Sequence, residues 1–182
     1  MPEIINLSLK FKESQALKHS DKLFQFDTNH AILKATAFQI VAVSVHAGDY
    51  ITGLSVTFRI DGRERIEEHV GSGRVLNSER LYLDAFEHIE YASCTYSAQG
   101  VHSLAFKTNT SKSFSIEGDK GKGEHRRDIS LKEYAKAVIG FRGLIAESLL
   151  DLYMYVAPRL DLLSDAVIGR RSGDSNESRV SD

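Results

Sequence analysis

Ile139-Gly140-Phe141-Arg142-Gly143-Leu144-Ile145-Ala146-Glu147-Ser148-Leu149-Leu150-Asp151-Leu152-Tyr153-Met154-Tyr155-Val156-Ala157-Pro158 is the stretch on which the fold turns. Ile145, Leu149, Leu152 and Val156 recur at helical spacing in a region rich in Ala, Glu and Leu, which taken alone makes residues 144–156 a helix. Leu150, Leu152, Met154 and Val156 alternate with Asp151, Tyr153 and Tyr155, which fits a strand equally well. Local pattern leaves both open, so the rest of the chain has to decide.

Working outward, period-two alternation is the clearest signal. Leu54, Val56, Phe58 and Ile60 face one way, and Ser55, Thr57, Arg59 and Asp61 the other, as in a half-buried strand. Val41, Val43 and Val45 form a similar row, with the turn signal Gly48-Asp49 between the two. Further runs lie at residues 81–83, 86–96, 101–106 and 114–116, broken by Asp61-Gly62, Gly71-Ser72-Gly73 and Gln99-Gly100. Short strands separated by frequent turns predict an all-β sandwich, barrel or prism. One other segment resists: Ser130-Leu131-Lys132-Glu133 is a capping-box pattern, with Leu131, Tyr134, Ala135 and Val138 at helical spacing.

The 182 residues suit one domain with tails, and 42% hydrophobic with 26% charged residues is ordinary for a globular protein. A formal charge of -2 gives no large basic face, so nucleic-acid binding is not expected. The single cysteine, Cys94, excludes an internal disulfide and favours a reducing compartment; it lies in an alternating run and reads as a small buried filler. The start MPEIINLSLKFKES is too polar for a signal peptide and alternates like a strand, and no apolar run is long enough to span a bilayer. A cytoplasmic protein is the expectation. From Gly169 onward the composition is polar, and a disordered tail is expected there.

Catalytic and metal chemistry finds little footing. The seven histidines include no pair spaced to put two ligands on one helical face, so no metal and no cofactor are expected. Gly118-Asp119-Lys120-Gly121-Lys122-Gly123 lacks the Gly-Lys-Ser/Thr ending of a phosphate loop and reads as a solvated loop. Glu67-Glu68-His69 reads as a charged edge rather than an acid–base set, and no nucleophile has an identifiable base. The expectation is a protein that is not an enzyme.

Several fragments, in order, resemble the jacalin-related lectins. They are Gly48-Asp49-Tyr50-Ile51-Thr52-Gly53-Leu54-Ser55-Val56-Thr57-Phe58-Arg59 with Asp61-Gly62, then His69-Val70-Gly71-Ser72-Gly73, and Phe86-Glu87-His88-Ile89. Val101-His102-Ser103-Leu104-Ala105-Phe106-Lys107-Thr108-Asn109, Ile139-Gly140-Phe141-Arg142-Gly143 and Tyr155-Val156-Ala157-Pro158 complete the set. The resemblance implies a β-prism I fold: three four-stranded Greek-key sheets about a pseudo-threefold axis, with sugar bound by loops at one end. It makes the ambiguous stretch a strand and the capping box a short helical turn in a loop. The implied division is an N-terminal extension, residues 1–25, with an extra strand; a lectin-like domain, residues 26–158; and a polar tail, residues 159–182.

The family's sugar loop reads Gly-x-x-x-Asp before the last strand, and here the resemblance puts Ala146 at the glycine and Leu150 at the aspartate. A leucine accepts no hydrogen bond, and a site without a charge-assisted bond forfeits roughly 1.5–3 kcal/mol. Glu147 and Ser148 carry oxygens within the loop, Asp27 lies in the segment at the family's N-terminal loop, and Tyr96 offers an aromatic from a third loop. Asp151 is one residue from the missing acid, but one step along a strand reverses the side chain. Two functions are expected as alternatives: a carbohydrate-binding domain with an altered or weakened site, or a prism scaffold for protein interaction or oligomerisation that has lost sugar binding. The partners implied are a glycan or glycoprotein, another protein, or a second copy of the chain.

Overall fold

The computed structural model describes residues 3–6, 23–28 and 38–158. Twelve strands run in chain order: β1 Glu3–Asn6, β2 Phe24–Asp27, β3 Phe38–Ala47, β4 Ile51–Ile60, β5 Arg63–Val70, β6 Asn77–Tyr82, β7 Ile89–Ser97, β8 Gly100–Thr108, β9 Ser113–Glu117, β10 His125–Ser130, β11 Lys136–Ile145 and β12 Leu149–Pro158. They form three four-stranded antiparallel sheets, ordered β1-β12-β11-β2, β5-β4-β3-β6 and β10-β7-β8-β9. The fold is the all-β prism that the resemblance implies.

The deciding stretch is extended: β11 and β12 form a hairpin from Lys136↔Pro158 to Ile145↔Leu149. As a helix, residues 144–156 would bury one stripe; as strand, Leu149, Leu152, Met154 and Val156 all reach the shared core at 1% exposure or less. Each large side chain so buried contributes roughly 1.5–3 kcal/mol, more than the few tenths by which helix propensity differs between residues. The Ser130 capping box does not form. Ser130 ends β10, and a 3-10 turn at Lys132–Tyr134 comes next, flanked by Leu131 with no side-chain cap. Leu131 is wanted in the core, 1% exposed, which fixes the chain there and leaves a single tight turn.

The central hairpins of the sheets repeat one irregularity. Val41, Glu90 and Ile139 are extra residues on the incoming strands, evenly spaced along the chain. Thr52, His102 and Leu150 are extra residues on the outgoing strands, just past the hairpin tips. A bulge increases the local twist, and three sets of them bend the sheets around a common axis. The core along that axis includes Val45, Leu54, Phe58, Leu104, Phe106, Phe141 and Leu152. Cys94 lies within it, and burial pushes its thiol up to about 12, so it remains a protonated, packed side chain. The N-terminal strand read from the sequence exists over Glu3–Asn6, paired with β12. Leu7, Leu9 and the segment 159–182 lie outside the described residues.

A candidate carbohydrate-binding cleft

The three hairpin tips gather at one end of the prism around an open cleft of about 370 Å³. Asp49, Tyr50 and Thr52 come from β3 and β4, Gln99 from the β7–β8 turn, and Ala146, Glu147, Ser148 and Leu150 from the β11–β12 hairpin. The loop between β5 and β6 completes the rim with Gly73, Arg74 and Leu76.

That loop is zipped to the β11–β12 tip. Ser72 N donates to Ala146 O at 3.0 Å, and Gly73 N to Glu147 O at 2.9 Å. The approach is so close that a Cβ on Gly73 would lie 2.3 Å from the Glu147 carbonyl oxygen, so only glycine fits. A parallel arrangement holds the first tip, where Asp119 N donates to Gly48 O at 2.8 Å and Lys120 N to Asp49 O at 3.0 Å. The glycine-rich segment after β9, expected to be solvated, is thus a brace. Packing uses its small residues: a Cβ on Gly118 would meet the Asp49 carbonyl oxygen at 2.4 Å.

Inside the cleft, Leu150 is 4% exposed and Ser148 8%. Both face Gly100, whose missing Cβ would lie 3.1 Å from Ser148 Oγ and 3.6 Å from Leu150 Cδ2. Leu150 is therefore an apolar wall where the resemblance places an acid. Glu147 is exposed at the rim with Asp49, Arg74 and Gln99. Tyr50 is held edge-on against His102, ring centroids 4.9 Å apart. His102 is itself fixed by Ser97 Oγ at 2.7 Å and the Gly121 carbonyl at 2.9 Å. Tyr50 is thus a half-buried aromatic ring held in place on the cleft lining. Asp49 and Lys120 approach to 3.6 Å, an exposed ion pair worth little. Thr52 Oγ1 is buried among the lining residues without a hydrogen-bond partner.

The structure brings Ala146, Glu147, Ser148 and Leu150 together and leaves Asp27 and Tyr96 outside the cleft lining. Asp27 pairs with Arg142, three residues down the strand from Ile145, or about 10 Å from the tip. Its carboxylate accepts the Tyr155 hydroxyl at 2.7 Å. Burial and that bond raise the Tyr155 hydroxyl above the usual tyrosine range, so it stays a donor. Tyr96 packs beside His125, ring centroids 5.4 Å apart. Asp151 pairs with Leu144 and is bound by the Leu152 amide at 3.0 Å, away from the cleft lining. The sequence reading offered the loop of residues 96–99, from which Gln99 lines the cleft, but did not single out Asp49, Tyr50, Thr52 and Arg74, which line it as well. The signals Gly48-Asp49, Gly71-Ser72-Gly73 and Gln99-Gly100 marked their turns, but nothing local says that three turns share one end.

Among the described residues, no three His, Cys, Asp or Glu side chains gather to hold a metal ion. None of the described helices is long and apolar enough to cross a membrane.

Three Greek-key sheets closed into a prism, with a shallow cleft among their end hairpins, define a lectin-type β-prism. The family described as Jacalin-like lectin domain matches residues 21–152, and the chain belongs to that family. Single-chain recombinant jacalin is similar in structure, with a TM-score of 0.64 and 20% identity over 86% of this chain and 95% of that one. Wild-type Malaysian banana lectin gives 0.59 and 20% identity over 74% and 89%. Artocarpin in complex with mannotriose gives 0.59 and 20% identity over 73% and 89%. No curated protein sequence matches the chain. Jacalin-like lectin domains are in general non-enzymatic, and their family and fold suggest carbohydrate binding.

Proposed function

We propose that this protein is a non-enzymatic carbohydrate-binding domain whose site, at the hairpin end of the prism, is altered and weak. The observation that carries the reading is the joining of three hairpin tips around one cleft, with Tyr50 braced by His102, Glu147 exposed at the rim and Ser148 inside. A sugar needs an apolar platform and a few fixed hydrogen-bonding groups, and the cleft has both. The weakening comes from Leu150, which contributes no acceptor at the bottom of the site.

A glycan array followed by calorimetry on the hits tests this. Competable binding is expected, and Glu147→Ala and Ser148→Ala are each expected to weaken it about tenfold, the worth of one good hydrogen bond. Hits indifferent to both changes would place binding elsewhere. Silence across the array would favour the second reading, a prism retained as a scaffold for protein interaction or oligomerisation. What favours that reading is the 4% exposure of Leu150, which packs the acid position closed.

A further inference from the structure

The β7–β8 turn, which brings Gln99 to the cleft, is held by a short chain of side chains. His102 Nδ1 lies 2.9 Å from the Gly121 carbonyl oxygen, and its Nε2 lies 2.7 Å from Ser97 Oγ. Ser97 Oγ in turn lies 2.6 Å from Gln99 Oε1 and accepts the Gln99 backbone N–H at 3.2 Å. Ser97 and His102 are buried, so their polar atoms rely on one another. Gln99 is exposed and lines the cleft.

One hydroxyl proton cannot serve both neighbours of Ser97, and the state of the imidazole decides which neighbour receives it. A carbonyl oxygen only accepts, so Nδ1 carries a proton whether the ring is neutral or charged. With the ring charged, Nε2–H donates to Ser97 Oγ, and the hydroxyl donates to Gln99 Oε1. The amide then turns its NH2 toward the cleft. With the ring neutral, Nε2 has only a lone pair and takes the Ser97 hydroxyl proton. Ser97 Oγ is left to accept from Gln99, whose amide makes a half-turn: NH2 on Ser97, oxygen toward the cleft. Every donor finds an acceptor in both arrangements, at the same heavy-atom positions. They differ by one proton and one amide orientation.

We propose that His102 is a positioning residue for the cleft: its proton, relayed by the Ser97 hydroxyl, decides which end of the Gln99 amide a bound saccharide meets. The relay belongs to the free protein, and only its effect on a saccharide rests on the carbohydrate-binding reading above.

The surroundings leave the choice to Ser97. Both ring nitrogens are taken, by Ser97 and by the Gly121 carbonyl. Tyr50 meets the ring edge-on, and Asp49 beside it is paired with Lys120. The segment after β9 also carries Glu117, Asp119 and Lys122, and the β11–β12 tip carries Glu147; all are exposed, where water and salt screen them. The chemical consequence is a change in the kind of group the cleft prefers. A sugar hydroxyl both donates and accepts, so it suits either end of the amide. The carboxylate of a uronic acid only accepts, so it gains a partner when Gln99 presents NH2 and loses it when Gln99 presents oxygen.

Histidine is the side chain that ordinarily changes charge between about pH 5 and 8. In a nitrogen-15 NMR titration of the full chain over that range, the Gln99 side-chain amide should move with the same midpoint as the His102 ring. In Ser97→Ala the ring should still titrate while the Gln99 amide stands still. A wild-type Gln99 amide that ignores the ring, or a ring that does not titrate, overturns the proposal without any variant having to fold. Calorimetry with glucuronic acid and glucose should give an affinity ratio that rises several-fold from about pH 8 to 5. The rise should shrink in Ser97→Ala, where the ring still charges but the relay is cut. A wild-type ratio independent of pH overturns the assigned effect on specificity. If neither sugar binds at any pH while the Gln99 amide follows His102, the carbohydrate-binding reading fails and the relay stands.

Discussion

Leu150 sits where two demands meet. As the extra residue of a bulge, it lies next to Leu149 without following strict alternation, and its side chain covers Gly100 at the cleft. Leu150→Asp introduces an acceptor there and tests the proposed weakening of the site. Glycan affinity in calorimetry is expected to rise at least tenfold, while the buried carboxylate lowers stability by about 1–3 kcal/mol in urea unfolding. A stable variant with no gain in affinity would contradict the proposal that Leu150 is what weakens the site. Glu87 is the contrasting case of a carboxylate held for structure. Burial alone would push it up, but bonds from Lys112, Thr108, Thr110 and the Asp84 amide outweigh this and hold it at about 2. With the folded value below the unfolded one, its stabilisation is complete above about pH 4.5 and is lost as pH falls toward 2. Glu87→Gln should therefore lower the melting temperature at pH 7, by about 2–3 kcal/mol in stability, and flatten the fall of melting temperature between pH 4.5 and 2. Parallel pH profiles for the two proteins would contradict that assignment.

At the scale of elements, the hairpins and the loops laid over them form the site. The β5–β6 loop holds the β11–β12 tip through two backbone hydrogen bonds and a glycine contact too close for any side chain. Gly73→Ala should push the loop off. Amide exchange at residues 146–148 should speed up at least tenfold and glycan binding should be lost, with the core strands still protected. Unchanged exchange there would show the contact to be dispensable. Much of this element layer was legible in the sequence. The alternation of β3, β4 and β8 and the turns between them needed only a period of two and a few Gly and Asp residues. Residues 144–156 were not legible, because their apolar residues satisfy helix and strand periods at once. The Ser130 capping box was half right: the helical turn forms at Lys132–Tyr134, but without a serine cap. It describes what a free backbone would do, and Leu131 is not free.

At the scale of the molecule, the prism closes by joining its first two strands to its last two. β1 pairs with β12, β2 pairs with β11, and Ile5 packs against the common core. Deleting residues 1–6 would open the β12 edge along its unpaired backbone groups, an invitation to strand addition by another copy. A fall of several degrees in melting temperature and concentration-dependent association in sedimentation velocity are expected. A monomer of unchanged stability would make β1 incidental.

The sequence by itself pointed to an all-β chain with a hydrophobic core and to which stretches turn. These are properties of neighbours along the chain, written in periods and turn residues. Local pattern left residues 144–156 open, the resemblance made them extended, and the structure bears that out; only the tertiary structure decided that Tyr50, Arg74 and Gln99 share a cleft with Glu147 and Ser148, and that Asp27 and Tyr96 do not. Those outcomes depend on three bulged hairpins meeting at one end of an axis, where the free energy of burying a shared core overrides local preference. No window of sequence contains all three.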